Sequence, residues 1–210
     1  MELAEGGHFT TVLLFIIFAL MKTWIFCTLL LLLGSCSSRD PIREHYLLVN
    51  HRGQQLSFPA EFRGQHLLVS FIYTHCPDMC PATVNNVRKI SSRPESGDVQ
   101  FVMISFDPER DSVAALDRYA EAFGITGDSR WQLLTGEEKT VRALMKHLGV
   151  RTRRTNLNGN AEAYELAHSD MLLLIDPSGT VREEYEASRV EADEVLEDLS
   201  ALRAEHRKVQ

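Results

Sequence analysis

Three apolar runs set the frame of this chain. Residues 66–74, HLLVSFIYT, are almost continuously apolar and rich in branched and aromatic side chains. That predicts a strand buried on both faces, as in the middle of an α/β sheet. A second such run, VQFVMISF (99–106), stops at Asp107-Pro108, and Trp131-Gln-Leu-Leu134 is a third core strand. Between these runs the apolar spacing turns helical. A helix is expected to start near Cys76 or Pro77 and to run to about Ile90, with proline suited to a first helical position. Residues 111–123 carry Val113, Leu116, Tyr119 and Phe123 at helical spacing before Gly124, and residues 137–148 form a helix closed by Gly149. Residues 46–57 read as a hairpin turning at Arg52-Gly53. Residues 171–175, the turn Asp176-Pro-Ser-Gly179 and residues 180–185 read as another. Residues 190–207 have helical spacing at Val190, Val195, Leu196, Leu199 and Leu202, whereas residues 151–163 are polar and irregular, which predicts a loop.

The resulting order is a β-hairpin, then βαβα, βα and ββα. Alternating strands and helices imply a parallel central sheet, and the closing hairpin adds antiparallel strands. The expected fold is α/β and thioredoxin-like, with an insertion, an N-terminal β-hairpin and a late β-hairpin before the C-terminal helix. The domain is expected over residues 46–207, behind a short tether over residues 37–45.

Residues 1–36 read as a targeting segment. TVLLFIIFAL (11–20) and WIFCTLLLLL (24–33) are apolar and are separated by Lys22, but the opening MELAEGG is acidic, the wrong sign for a signal peptide. A start at Met21 repairs this. Met21-Lys22 becomes the positive start, residues 23–33 the apolar core, and Leu33-Gly34-Ser35-Cys36 a cleavage site resembling a bacterial lipoprotein box, with Cys36 lipidated. The rival is an uncleaved anchor over residues 11–33, long enough to span a bilayer. Both put the remainder outside the cytoplasm and on a membrane, for a bacterial chain its periplasmic face.

Composition narrows the function classes. With 44% hydrophobic and 24% charged residues, the 210-residue chain suits one globular domain with an ordinary core. A formal charge of −7 and the absence of a basic stripe with interleaved aromatics argue against nucleic acid as a partner. The short run Arg151-Thr-Arg-Arg154 reads as a solvated turn. Of the four cysteines, Cys27 would leave with a signal and Cys36 would carry lipid, so that Cys76 and Cys80 remain as the thiols.

Those two sit in FIYTHCPDMCP (71–81), where the buried strand ends. If residues 76–80 begin a helix, the sulfurs lie i,i+4 on one face. Cys76 would then sit at the helix N-terminus, where unpaired N–H groups and the dipole favour a thiolate. The carboxyl end of a central strand is also the usual place for function in an open α/β sheet. Three roles compete. A structural disulfide would close a loop too short to gain much chain entropy. A thiol–disulfide oxidoreductase ordinarily spaces its cysteines C-x-x-C, one residue closer than here. A soft-metal site suits two thiolates and Cu(I), and it needs at least one further ligand. His168, in YELAHSD before the strand MLLLI, is the best candidate for that ligand, because in a thioredoxin-like fold this loop lies beside the first helix's N-terminus. His75 adjoins Cys76 and is expected to point elsewhere and help position the loop. Met79 offers a thioether but suits packing.

The chain resembles the SCO/SenC family of copper-binding proteins that assemble the copper A centre of cytochrome c oxidase. The resemblance covers roughly residues 45–200 and rests on FIYTHCPDMCPATV (71–84), ISFDPERDS (104–112) and AHSDMLLLIDPSGTV (167–181). It implies a thioredoxin-like fold, membrane attachment, and copper, as Cu(I) or Cu(II), held by two cysteines and one histidine, here Cys76, Cys80 and His168. The copper A subunit or another copper recipient would be one partner, and a protein that keeps the thiols reduced another. The family is also credited with thiol–disulfide activity, in which Cys76 and Cys80 would be the redox pair.

Within DPERD, Asp107 is expected to stop its strand and Asp111 to cap the next helix. The alternative for Asp107 is a role in partner docking or proton movement, with Arg110 pairing one of these acids. The sequence departs from the family pattern at Ala167, where an acidic residue commonly precedes the histidine and would orient the imidazole. It departs again at Phe106, where valine is usual.

Overall fold

A computed structural model describes residues 40–157 and 160–209. The targeting segment expected over residues 1–36, with Cys36, lies outside the described residues. The continuous apolar runs become the middle of a sheet, as a strand with no polar face must. Strand β3 (His66–Ile72) is buried at every position and pairs in parallel with β4 (Val99–Ser105), which pairs in parallel with β5 (Trp131–Thr135). The N-terminal hairpin of β1 (Tyr46–Asn50) and β2 (Gln55–Phe58) joins antiparallel to β5. Packing begins ahead of β1: Ile42, in the segment read as a tether, is 1% exposed and its N–H donates to the Gly179 carbonyl.

On the other side of β3 lies the late hairpin of β8 (Leu172–Ile175) and β9 (Val181–Tyr185), with β8 antiparallel to β3. The seven strands run β2-β1-β5-β4-β3-β8-β9. Helices α1 (Met79–Ser91), α2 (Val113–Ala122), α3 (Glu138–His147) and α4 (Ala192–Val209) complete the domain, α1 packing against α4 and against β3 and β4. This is the thioredoxin-like α/β arrangement that the element order predicts. Among the described residues, no helix is long and apolar enough to cross a membrane.

Two expectations need correction. Residues 151–163 are not an irregular loop. They contribute β6 (Thr152–Leu157) and part of β7 (Asn160–His168), an antiparallel ribbon separate from the main sheet. All six β6 residues are exposed, so the strand carries no alternation of buried and polar positions from which it could be read. The first helix begins at Met79, not at Cys76 or Pro77. Cys76 precedes a proline, which steers it away from helical backbone angles. Pro81 instead falls in the helix's first turn, where N–H groups have no intrahelical acceptor.

Leu68, 0% exposed in β3, and Thr155, exposed on β6, make a matched test of where stability resides. Leu68→Ala should lower unfolding free energy by about 2–5 kcal/mol through lost burial and the cavity left behind. Thr155→Ala should change it by less than about 0.5 kcal/mol. Urea unfolding followed by circular dichroism reads both, and equal losses would place the core elsewhere.

Candidate metal centre

Antiparallel pairing of β3 with β8 decides which loops meet. The register matches Ser70 with Leu172, so the chain leaving β3 after Ile72 emerges where the chain entering β8 arrives. The Ser70 hydroxyl donates to the Met171 carbonyl at 2.8 Å and ties the two strand ends together. The departing loop carries Cys76 and Cys80, and the arriving one follows His168, the last residue of β7.

The side chains converge at this edge. One donor atom from each of Cys76, Cys80 and His168 lies within 4.8 Å of the other two. His168 Nε2 is 3.7 Å from Cys80 Sγ. Both cysteines are free thiols, Cys76 half-buried and Cys80 1% exposed. They do not share a helix face as i,i+4 neighbours. Cys80 is the second residue of α1, Cys76 lies before it, and the Cys80 N–H donates to Cys76 Sγ at 3.3 Å. The helix has no side-chain cap from its N-cap residue, Asp78, so the Cys76 sulfur answers one of its unpaired N–H groups.

These contacts sort the charges. Cys76 is held far below the ordinary thiol range, first by its hydrogen bond with Cys80, then, against the cost of burial, by His168 and the backbone N–H groups of Cys80 and Asp78. Cys80 is pushed up by the same bond to Cys76 and by its own burial. Burial lowers His168, but its attraction to the Cys76 thiolate and its bond to Ser169 outweigh this and raise it. Tyr73, behind the sulfurs, is pushed up to about 12 by burial and by the neighbouring thiols. Without metal the site therefore holds one thiolate, one thiol and an imidazole.

The imidazole is oriented by backbone, where Ala167 offers no carboxylate. His168 Nδ1 lies 2.9 Å from the Ser169 carbonyl, which can only accept, so the ring proton belongs on Nδ1 when the imidazole is neutral. The Nε2 lone pair then faces the sulfurs, ready to ligate. Phe106 lies against the ring at 4.7 Å between centroids, and Tyr73 meets it edge-on at 6.2 Å. A valine at position 106 would lack that aromatic face.

Asp111 does not cap α2. The cap is Ser112, whose hydroxyl accepts from the Ala115 N–H. Asp111 is fully buried and holds the cysteine loop instead. It accepts from the Thr74 hydroxyl at 2.6 Å, the Thr74 N–H at 3.1 Å and the Ser105 hydroxyl at 2.6 Å. Thr74 and Ser105 escaped the sequence reading, although polar Ser105 inside the apolar run VQFVMISF marks a buried hydroxyl in need of an acceptor. Asp107 is also turned inward, away from the exposed surface that docking would use. It is 4% exposed, and its two oxygens accept from Tyr164 Oη at 2.6 Å and Arg110 Nε at 2.5 Å. Arg110 thus pairs with an acid of its motif, as expected, while Tyr164 was not singled out. His75 is exposed with Nδ1 3.1 Å from the Thr74 hydroxyl, outside the three-residue group. Met79 is half-buried at the start of α1.

Comparison with known proteins identifies the family. The chain matches the SCO1/SenC family over residues 35–204. The mitochondrial SCO2 homologue of Mus musculus is 35% identical over 158 residues, covering 73% of this chain and 59% of that protein. The chain thus spans about three-fifths of that relative's length. ScoI of Bradyrhizobium japonicum, solved with copper bound, superposes with a TM-score of 0.65 at 23% identity over 76% of this chain and 98% of its own. A SCO1/SenC family lipoprotein from Bacillus anthracis superposes with a TM-score of 0.66 at 24% identity over 79% of this chain and 99% of its own. The structures share the fold, the family match runs through both the cysteine loop and His168, and the chain is a member of the SCO1/SenC family.

Proposed function

We propose that this protein is a membrane-tethered copper chaperone that binds copper through Cys76, Cys80 and His168 and helps assemble the copper A site of cytochrome c oxidase. The observation that carries the reading is the meeting of two free thiols and an imidazole whose Nε2 faces the sulfurs. Two soft sulfurs and one nitrogen suit Cu(I). Copper here is cargo, and a three-coordinate site can release it by exchange, since an incoming thiolate finds an open position. Oxidation of the Cys76 thiolate and the Cys80 thiol to a disulfide would surrender two electrons and one proton to an oxidant and remove both sulfur donors. A thiol reductant protein is therefore a required partner. The copper-bound ScoI relative supports the metal, and the Bacillus anthracis family lipoprotein supports a lipid tether, for which Cys36 is the candidate residue and the outer side of a membrane the candidate place.

A second reading, thiol–disulfide oxidoreductase, is favoured by one observation: the depressed pKa of Cys76, which makes it a nucleophile at neutral pH. It differs from the first in needing turnover on a disulfide substrate and in not needing His168 as a ligand.

A form of the chain lacking residues 1–36, reduced without oxygen and titrated with Cu(I) against a competing chelator, separates them. One tight equivalent is expected. His168→Ala should weaken binding by more than about tenfold, since even loss of an outer partner of a metal ligand costs that much. Tight binding indifferent to His168, or none, would leave the thiol pair a redox device.

The pKa shift has its own signature. Because the folded pKa of Cys76 is lowered, its thiolate persists as pH falls from 8 to 6. Iodoacetamide should therefore alkylate metal-free Cys76 at a nearly constant rate over that range. An ordinary thiol, with a pKa of about 8.5, would slow almost tenfold per unit below pH 7.5.

A further inference from the structure

His168 is delivered by a ribbon that has little apolar anchorage. β6 is exposed throughout, and among the ribbon's described side chains only Tyr164 is fully buried, with Leu166 partly buried against the core. Tyr164 and His168 lie four residues apart on one strand, and a strand's period of two puts them on the same face, about 13 Å apart. What fixes Tyr164 is polar and comes from the DPERD loop. Its hydroxyl donates to Asp107 Oδ1 at 2.6 Å, and Arg110 Nη1 donates to its carbonyl at 3.1 Å. Asp107 Oδ2 and Arg110 Nε close the loop at 2.5 Å. The Arg110 guanidinium lies on the Tyr164 ring at 3.6 Å, and that of Arg154 also lies on the ring at 3.6 Å while reaching Glu109. Two cations against one ring, together with bonds at its hydroxyl and carbonyl, define both the height and the rotation of the strand.

We propose that Tyr164, Asp107 and Arg110 are positioning residues for the metal centre: a polar clamp that holds the ribbon against the domain and sets where His168 meets the two thiols. The inference rests on the copper reading for its effect on metal, but not for the clamp itself. The sulfurs are fixed by the sheet and α1, whereas the imidazole, turned by the Ser169 carbonyl, is carried by the ribbon. The clamp therefore governs how much of the population has all three donors in place, and apparent affinity falls in proportion to that fraction. Loosening it should weaken Cu(I) binding in the same direction as loss of His168 and should cost most where the nitrogen matters most, in Cu(II) binding.

The full chain in detergent supplies both tests. In metal-free protein, Tyr164→Ala should speed backbone hydrogen exchange in peptides spanning residues 152–168 and leave β3, β4 and α1 unchanged. Unchanged exchange in the ribbon would overturn the clamp. With copper, Tyr164→Ala is combined with His168→Ala in a double-mutant cycle. Tyr164→Ala alone should weaken binding by about tenfold, the scale of an outer-partner loss, and the nitrogen coupling in the Cu(II) resonance spectrum should diminish. In the His168→Ala background the same change should cost less than twofold. Equal losses in both backgrounds would overturn the positioning role. Tyr164→Phe, which keeps the stacking and loses only the hydroxyl bond, should fall between the parent and Tyr164→Ala in both readouts. If the parent chain takes up no copper, the proposed function fails and the exchange result alone decides the clamp.

Discussion

The antiparallel pairing of β3 with β8 is the constraint on which the site depends. A parallel neighbour would have sent the arriving loop to the opposite edge of the sheet. Because β8 runs against β3, the exit of one strand and the entrance of the other share an edge, and the Ser70 bond to Met171 pins that meeting point. Both strands are buried at every position, so their register is fixed by the core and cannot slip without turning apolar side chains outward. The meeting point of donors 88 residues apart is thus set by the buried strands of the sheet.

On that edge, backbone groups do much of the electrostatic work. The Cys80 N–H, at the start of α1, favours a thiolate at Cys76, and the Ser169 carbonyl selects the imidazole tautomer. Buried Asp111 ties Thr74 to Ser105 and so holds the cysteine loop to β4. Each of these partners is local, so the Cys76 sulfur and the imidazole are oriented by groups next to them in the chain.

The core strands and the meeting of the thiol pair with His168 were legible in the sequence for one physical reason: both depend on residue type. HLLVSFIYT and VQFVMISF have nowhere to go but the middle of a sheet, and a lone thiol pair with a distant histidine before a core strand is a rare combination. What escaped was written in geometry. The ribbon carries no buried face on β6, so its strands leave no periodic signal. The start of α1 turned on how Cys76 responds to Pro77, which residue type alone leaves open. Asp111 stands one residue ahead of the true cap, Ser112, and composition cannot distinguish a capping acid from one buried beneath a loop. Ala167 offers His168 no carboxylate, but any carbonyl in reach can fill that place, and that of Ser169 does.

The account stands or falls on the donor set of the bound metal. X-ray absorption at the copper edge, on the Cu(I)-loaded protein and its His168→Ala variant, reads that set directly. Two sulfur neighbours and one nitrogen are predicted for the parent protein, with the nitrogen lost in the variant. A shell of sulfur alone in the parent, or a nitrogen that survives the loss of His168, would contradict it.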